Sequence, residues 1–345
     1  DEAREVRDLL GRCLERDPHR RMRDIGDVRL ELERVREGKD ASPGSVRAAR
    51  SPWSRGRLPA LGLALLAAAA TGGLVGRALA PGAPAAAPQV RLSIPLAPTQ
   101  RVNTADNSLL AFAPAARRVV VSVIEGERPW LVRRRLDGVA AERIEGTEGG
   151  GAPFFSPDGR WLGFIANGKL MKVPAEGGRP FALAEQQGAG GGSWAPDGRI
   201  VFAPIYSDGL FRVSSEGGDS EQLTKPNRER GELGHWWPQV LPGGRAALFT
   251  AFCSPVDQSR VGIVSLETGE TRELVDGAYF GRYVPSGHLI YVKGNRLLAA
   301  PFDVSRGALT GPAKSVLDDL YASPTEALTI LDVSRDGTLA WIPGS

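Results

Sequence analysis

Phe155-Ser156-Pro157-Asp158-Gly159-Arg160 returns almost unchanged as Trp194-Ala195-Pro196-Asp197-Gly198-Arg199. In such a stretch proline presets φ for the first central position of a turn, aspartate tolerates the next, and glycine accepts positive φ. Weaker copies are Phe112-Ala-Pro-Ala-Ala-Arg117, Val240-Leu-Pro-Gly-Gly-Arg245, Val284-Pro-Ser-Gly-His288 and Val333-Ser-Arg-Asp-Gly337. The prolines or their equivalents, at 114, 157, 196, 242, 285 and 335, lie 43, 39, 46, 43 and 50 residues apart. A spacing of roughly 40–45 residues with short strands is the pattern of propeller blades.

The residues around each turn read as strands. Alternating or apolar runs follow at Trp161–Ala166, Ile200–Ala203, Ala246–Phe252, Leu289–Val292 and Leu339–Ile342. Asn167-Gly168 leads into Lys169–Val173 and Asp208-Gly209 into Leu210–Val213, and both dipeptides favour two-residue hairpins. Gly177-Gly178 precedes a third strand at Pro180–Leu183. One strand before the turn and three after it make a four-stranded blade. Of the 43 glycines, 34 follow residue 80, about twice the usual share, as a turn-rich array requires.

The Ser-Pro-Asp-Gly-Arg turns resemble the WD40-like repeats of TolB-type propellers, over roughly residues 90–345. They lack the Gly-His and Trp-Asp dipeptides of eukaryotic WD40 blades. The resemblance implies a mainly β fold, a six-bladed propeller, which agrees with six turn anchors. The sixth repeat reaches Ser345 with two strands. Either Gln89–Ile94 completes that blade and closes the ring, or the chain of a longer parent continues.

Ahead of the repeats the chain changes character. Leu58 to Gly76 are 19 residues without a charge, bounded by Arg57 and Arg77. At about 1.5 Å per helical residue this nearly matches a hydrocarbon core of roughly 30 Å. No polar stripe runs through it, as one would in a soluble core helix. The reading is a transmembrane helix within residues 58–80, followed by a Pro/Ala linker, 81–89. Residues 41–57 carry Arg47, Arg50, Arg55 and Arg57 and no acid, which places the N-terminal side in the cytoplasm and the repeats outside it. The expected location is the inner (plasma) membrane, crossed once. The net charge of +3 comes from the first 57 residues, with 15 basic and 12 acidic side chains. That excess suits anionic lipid headgroups and is no nucleic-acid footprint. Ala68, Gly72 and Gly76 share one helix face, on which two copies could pair as a homodimer.

Residues 3–16 read as an amphipathic helix with Val6, Leu9, Leu10, Cys13 and Leu14 at helical spacing, stopped by Asp17-Pro18. A second helix starts near Asp24. Two short helices bury too little to fold alone. The order Leu9-Leu10-x-Arg12-Cys13-Leu14-x-x-Asp17-Pro18-x-x-Arg21 resembles the last conserved stretch of protein serine/threonine kinases, bacterial ones of eukaryotic type included. The resemblance makes residues 1–40 the end of a kinase C-lobe, with Asp17, Pro18 and Arg21 as structural motif residues. The chain holds no Gly-x-Gly-x-x-Gly ahead of a Val-Ala-x-Lys, no His-Arg-Asp and no Asp-Phe-Gly. Phosphotransfer with ATP and Mg²⁺ would belong to a core ahead of Asp1, and the chain alone should be inactive.

No catalytic, cofactor or metal residue stands out. His19, His235 and His288 are scattered, and Cys13 and Cys253 fall on opposite sides of the expected membrane. Both thiols read as buried small hydrophobes, Ser193 as loop, and Asp158, Asp197 and Asp336 as caps of their own turns. Gly234-His235-Trp236-Trp237-Pro238 is either a ligand-contacting loop or, the favoured reading, packing between the third and fourth blades. The expected function is a sensor or scaffold in which the propeller binds a protein or peptide and biases a kinase across the membrane. The alternatives are a membrane-anchored transcription regulator and an envelope scaffold without kinase activity.

Overall fold

Each Pro-Asp-Gly turn joins the first two strands of an antiparallel sheet. In the computed structural model the described residues are 96–341, apart from 104–107, 115–117, 139, 189, 205–206, 319 and 321–330. The expected kinase tail, the span with Ala68, Gly72 and Gly76, and Gln89–Ile94 lie outside them. Among the described residues no helix is long and apolar enough to cross a membrane, and helical structure is confined to two single 3-10 turns, Arg228–Arg230 and Val256–Gln258.

Five sheets of four or five strands follow in order. Blade 1 comprises β1 (Gln100–Val102), β2 (Leu110–Phe112), β3 (Arg118–Glu125), β4 (Arg128–Arg135) and β5 (Ala141–Arg143), with β1 and β2 both on β3. Blade 2 is β6 (Gly151–Phe155), β7 (Trp161–Ala166), β8 (Lys169–Pro174) and β9 (Phe181–Glu185). Blade 3 is β10 (Gly192–Trp194), β11 (Arg199–Phe202), β12 (Phe211–Ser214) and β13 (Glu221–Gln222). Blade 4 is β14 (Glu232–Val240), β15 (Ala246–Cys253), β16 (Arg260–Ser265) and β17 (Thr271–Asp276). Blade 5 is β18 (Tyr279–Val284), β19 (His288–Lys293) and β20 (Arg296–Asp303), with β21 (Ala308–Leu309) and β22 (Lys314–Asp318) both on β20. A two-stranded sheet, β23 (Leu331–Val333) and β24 (Leu339–Trp341), comes last. Where six blades were expected, the described residues form five and this smaller sheet.

The first strands of successive sheets lie side by side: β23 touches β2, β2 touches β6, and the series runs on through β10 and β14 to β18. The two-stranded sheet joins blade 5 through Leu331, Val333 and Leu339, packed with Val284, Ile290 and Leu297. Apolar side chains fill each seam, as when Phe154, Leu170 and Leu183 of blade 2 meet Ile200, Phe202 and Val213 of blade 3. Sheet faces that are apolar on both sides can be buried only against neighbours, which is why the blades stack around an axis.

Basic side chains on the outer strands close the seams further out. Lys172 is buried beside the Trp161 ring, with Nζ 4.8 Å from its centroid and 3.0 Å from Glu216 of the next blade. Arg212 Nη1 donates to the Leu266 carbonyl, and Arg272 Nη2 to that of Gly307, in each case one blade on.

The turn chemistry is as expected. Gly159 N–H donates to the Ser156 carbonyl with Gly159 at φ +71°, and Gly198 N–H donates to that of Ala195 with Gly198 at φ +86°. Asp158 Oδ1 accepts from Ser156 Oγ at 2.6 Å and from Arg160 N–H at 3.1 Å. The Ser156 hydroxyl first, then the Arg160 N–H and guanidinium, pull its carboxyl down to about 2. A carboxylate whose folded value is depressed stabilises fully above its unfolded value, and the contribution fades as pH falls toward the folded one. Acid unfolding should therefore steepen between about pH 4 and pH 2. Asp158→Asn keeps the turn acceptor and should flatten that limb of a stability–pH curve. A curve identical to wild type would refute the coupling.

Asn167-Gly168 forms the expected two-residue hairpin, both residues at positive φ, between β7 and β8. Asp208-Gly209 does not. β11 ends at Phe202 and β12 begins at Phe211, so a longer loop intervenes. The reason is tertiary: the Asp208 carbonyl accepts from His235 N–H of the next blade at 2.9 Å, and Gly209 lies against Thr224.

Candidate functional site

Counting back from the turn prolines exposes features shared by the inner strands. Five residues before Pro157, Pro196, Pro242 and Pro285 stand Ala152, Gly191, Trp237 and Phe280, with φ of +47°, +86°, +52° and +55°. In blades 2, 4 and 5 the pairing register slips there. A left-handed Trp or Phe costs on the order of 1 kcal/mol or more and persists only where the surroundings enforce it.

Three residues before the same prolines, and before Arg335, stand Phe154, Ser193, Gln239, Arg282 and Asp332. Most of them reach the next blade. Ser193 Oγ accepts from Val240 N–H at 2.9 Å, so Ser193 belongs to a strand and stitches it to blade 4 rather than lying in a loop. Gln239 Oε1 accepts from Tyr283 N–H at 2.6 Å and Gln239 Nε2 donates to the Tyr283 carbonyl at 3.2 Å. Asp332 Oδ2 accepts from Phe112 N–H at 2.8 Å, joining the last sheet to the first. Phe154 fills the place a side chain on Gly192 would need, its ring 2.5 Å from that Cβ position.

Arg282 departs from this pattern. Its Nη1 donates backwards to the Trp237 carbonyl at 2.8 Å and to its own strand's Gly281 carbonyl at 3.2 Å. Its guanidinium lies 4.2 Å from the Phe280 ring centroid. Nε and Nη2 make no hydrogen bond among the described residues. Arg282 and Asp332 are both half-buried. Desolvation lowers Arg282 to about 10 against the pull of Asp332. Desolvation likewise raises Asp332 to about 6, against the Phe112 N–H and Arg282. No ion pair within 4 Å joins the two. Nothing in the sequence flags either residue; aligning the repeats on their prolines would have placed both at one shared position.

Trp236 and Trp237 are buried, as favoured, but the seam is wider than expected. Trp236 stacks on Phe252 at 3.9 Å, and Trp237 meets Phe280 edge-on at 5.6 Å, so the pair ties blade 4 to blade 5. Gly190 and Gly191 of blade 3 lie against them on the other side.

Behind them, Thr224, His235 and Glu232 form a buried relay. Thr224 Oγ1 lies 2.7 Å from His235 Nδ1, and Glu232 Oε2 lies 3.1 Å from His235 Nε2. Thr224 Oγ1 accepts from Leu210 N–H at 2.8 Å. The network assigns the Nε2–H tautomer, with the threonine hydroxyl donating to Nδ1. Glu232 Oε2 also accepts from Asn227 N–H at 2.6 Å. Burial opposes ionisation of Glu232, but His235 and the Asn227 N–H outweigh it and hold the carboxyl below the usual range. The order hydroxyl–imidazole–carboxylate resembles a nucleophile relay. Thr224 is only 4% exposed and its oxygen is committed to Leu210, so the relay orders the loop before β14. Cys253 is a buried free thiol, raised by desolvation. Among the described residues no three His, Cys, Asp or Glu side chains are placed to hold a metal ion. The turn residues Pro157, Asp158, Gly159, Pro196, Asp197 and Gly198 serve their own turns. Asp17, Pro18 and Arg21 lie outside the described residues.

No family model matches the sequence, and no curated protein matches it. Among solved structures, a TolB from Agrobacterium tumefaciens is 17% identical, with 68% of this chain and 90% of that one superposed at a TM-score of 0.50. TolB from Acinetobacter baumannii is 20% identical over 57% of this chain and 51% of that one, with a TM-score of 0.46. An oligogalacturonate lyase from Vibrio parahaemolyticus is 15% identical over 67% and 68%, with a TM-score of 0.47. At these identities the likeness concerns the fold alone, and that fold is a TolB-like β-propeller.

Proposed function

We propose that this chain is the C-terminal part of a membrane-spanning serine/threonine kinase whose extracytoplasmic propeller is a ligand- or protein-binding sensor. The observation that carries the binding role is the Arg282–Asp332 pair. Ser193, Gln239 and Asp332 each join the next blade, whereas Arg282 bonds, among the described residues, only through Nη1, back to blade 4 and its own strand, and its Nε–Nη2 edge and the Asp332 carboxylate stay out of salt-bridge contact. Holding a guanidinium that way is costly unless something else uses it. The membrane and kinase parts rest on the uncharged run Leu58–Gly76 with its basic inner flank, and on Asp17-Pro18-x-x-Arg21.

Gln89–Ile94, in which Val90, Leu92 and Ile94 alternate with polar residues, lie outside the described residues. Leu96 packs beside Val119, Val121 and Phe112 of blade 1, and the two-stranded sheet is read as the start of a sixth blade. A groove of about 370 Å³ between blade 5 and the two-stranded sheet, lined by Ile290, Leu297, Val316 and Leu339 among others, is where further strands of that blade would pack.

Topology tests the arrangement. In a Cys13→Ser background, single cysteines at Ser45 and at the exposed Asp219 are treated with a membrane-impermeant maleimide on intact spheroplasts. Asp219→Cys should label and Ser45→Cys should label only after lysis. Equal labelling of both before lysis would overturn the two-sided reading.

A further inference from the structure

We propose that the open edge of Arg282, together with the Phe280 ring and the inner-strand backbone around it, is a binding site for the carboxylate of a ligand entering the propeller's centre. This deepens the binding role proposed above and rests on it.

The argument starts from which nitrogens are used. Both hydrogen bonds of the guanidinium come from Nη1, to the carbonyls of Trp237 and Gly281. The Nε–Nη2 edge, the one that fits a carboxylate with two parallel hydrogen bonds, is left open. Those two carbonyls and the ring at 4.2 Å fix the plane of the group before any ligand arrives. The two left-handed residues, Trp237 and Phe280, supply the carbonyl and the ring. The conformation that the inner strands share at this position thus places, at Trp237 and Phe280, the carbonyl and the ring that hold the guanidinium. A purely structural arginine here would be expected to answer the next blade, as Ser193, Gln239 and Asp332 do. Arg282 faces back instead.

Asp332 decides the class of anion. It sits on the next inner strand, interacts electrostatically with Arg282, and is held by Phe112 N–H. Its negative charge tolerates a monoanion beside Arg282 better than a dianion, because like-charge repulsion grows with ligand charge. A carboxylate is thus favoured over a phosphate. The carboxylate could belong to a small acid or to the end of a peptide, and the two sources are separable.

The test uses the full purified chain in detergent, so it does not depend on membrane orientation and fails separately from the topology reading. Thermal midpoints are followed with benzoate, with trialanine, with trialanine amide and with inorganic phosphate, at constant ionic strength. Specific binding raises the midpoint with ligand concentration. The wild type should respond to benzoate or to trialanine, with phosphate binding at least about tenfold weaker. A response to benzoate assigns the site to small acids, and one to trialanine but not its amide assigns it to a peptide terminus. Arg282→Met should lose the response, and Arg282→Lys, lacking the fork, should weaken it about tenfold. Asp332→Asn keeps an acceptor for Phe112 and should bind the carboxylate more tightly, which a merely structural arginine would not produce and which serves if Arg282→Met fails to fold. Equal responses in wild type and Arg282→Met, an unchanged response in Asp332→Asn, or no wild-type response up to about 50 mM would each overturn the proposal.

Discussion

Trp237→Ala should cost about 3–5 kcal/mol of stability, the range for truncating a fully buried tryptophan. The side chain is wholly inaccessible and meets Trp236, Tyr279 and Phe280, so its loss opens the seam between blades 4 and 5. The revealing comparison is Trp237→Gly. At an ordinary strand position glycine is worse than alanine by roughly 0.5–1 kcal/mol. At φ +52° the order should invert, because alanine keeps a Cβ in the left-handed region and glycine does not. Denaturant midpoints of the two variants measure this. If the alanine variant is the more stable, the left-handed conformation is not what the backbone holds in solution.

Gly209→Ala should be nearly as damaging, for the opposite reason. An added Cβ would lie 1.9 Å from the Thr224 carbonyl oxygen and 2.5 Å from its carbon. These are backbone atoms and cannot swing aside, so the loop or Thr224 must move. Overpacking of this kind costs about 1–3 kcal/mol and at times more, and we expect the upper end. Thr224 also anchors the relay to His235 and Glu232, and Glu232 holds the Asn227 N–H that orders Arg228–Arg230. The variant should therefore be cleaved faster by trypsin after Arg228 and Arg230. Gly209 is not among the positive-φ glycines, so crowding alone is at stake there. A loss below about 1 kcal/mol would refute the crowding.

The strands next to the turns were legible because local chemistry makes them. β7 runs over Trp161–Ala166 as the residues indicate, and Asn167-Gly168 turns as its type demands. Asp208-Gly209 has the same local signal and a different outcome, since a neighbouring blade claims the Asp208 carbonyl and crowds the glycine. Ser193 misled in the other direction. Its glycine-rich surroundings look like loop, yet its hydroxyl serves a residue 47 positions on.

What the amino-acid sequence determined by itself is the repeat: six turns, five of them anchored on proline, their spacing, and the strands that alternation and turn residues punctuate. Those depend on interactions within a few residues, which composition records directly. Only the tertiary structure decided which residues share a place in the blade. Ala152, Gly191, Trp237 and Phe280 have one backbone conformation and four unrelated side chains, because the surrounding sheet imposes it. Arg282 and Asp332 are 50 positions apart and become neighbours only when the last sheet closes against blade 5 through Leu331, Val333 and Leu339. The charge that makes a candidate site is a product of that closure, since it is desolvation by other blades that sets Arg282 and Asp332 apart from the chain's other charged residues.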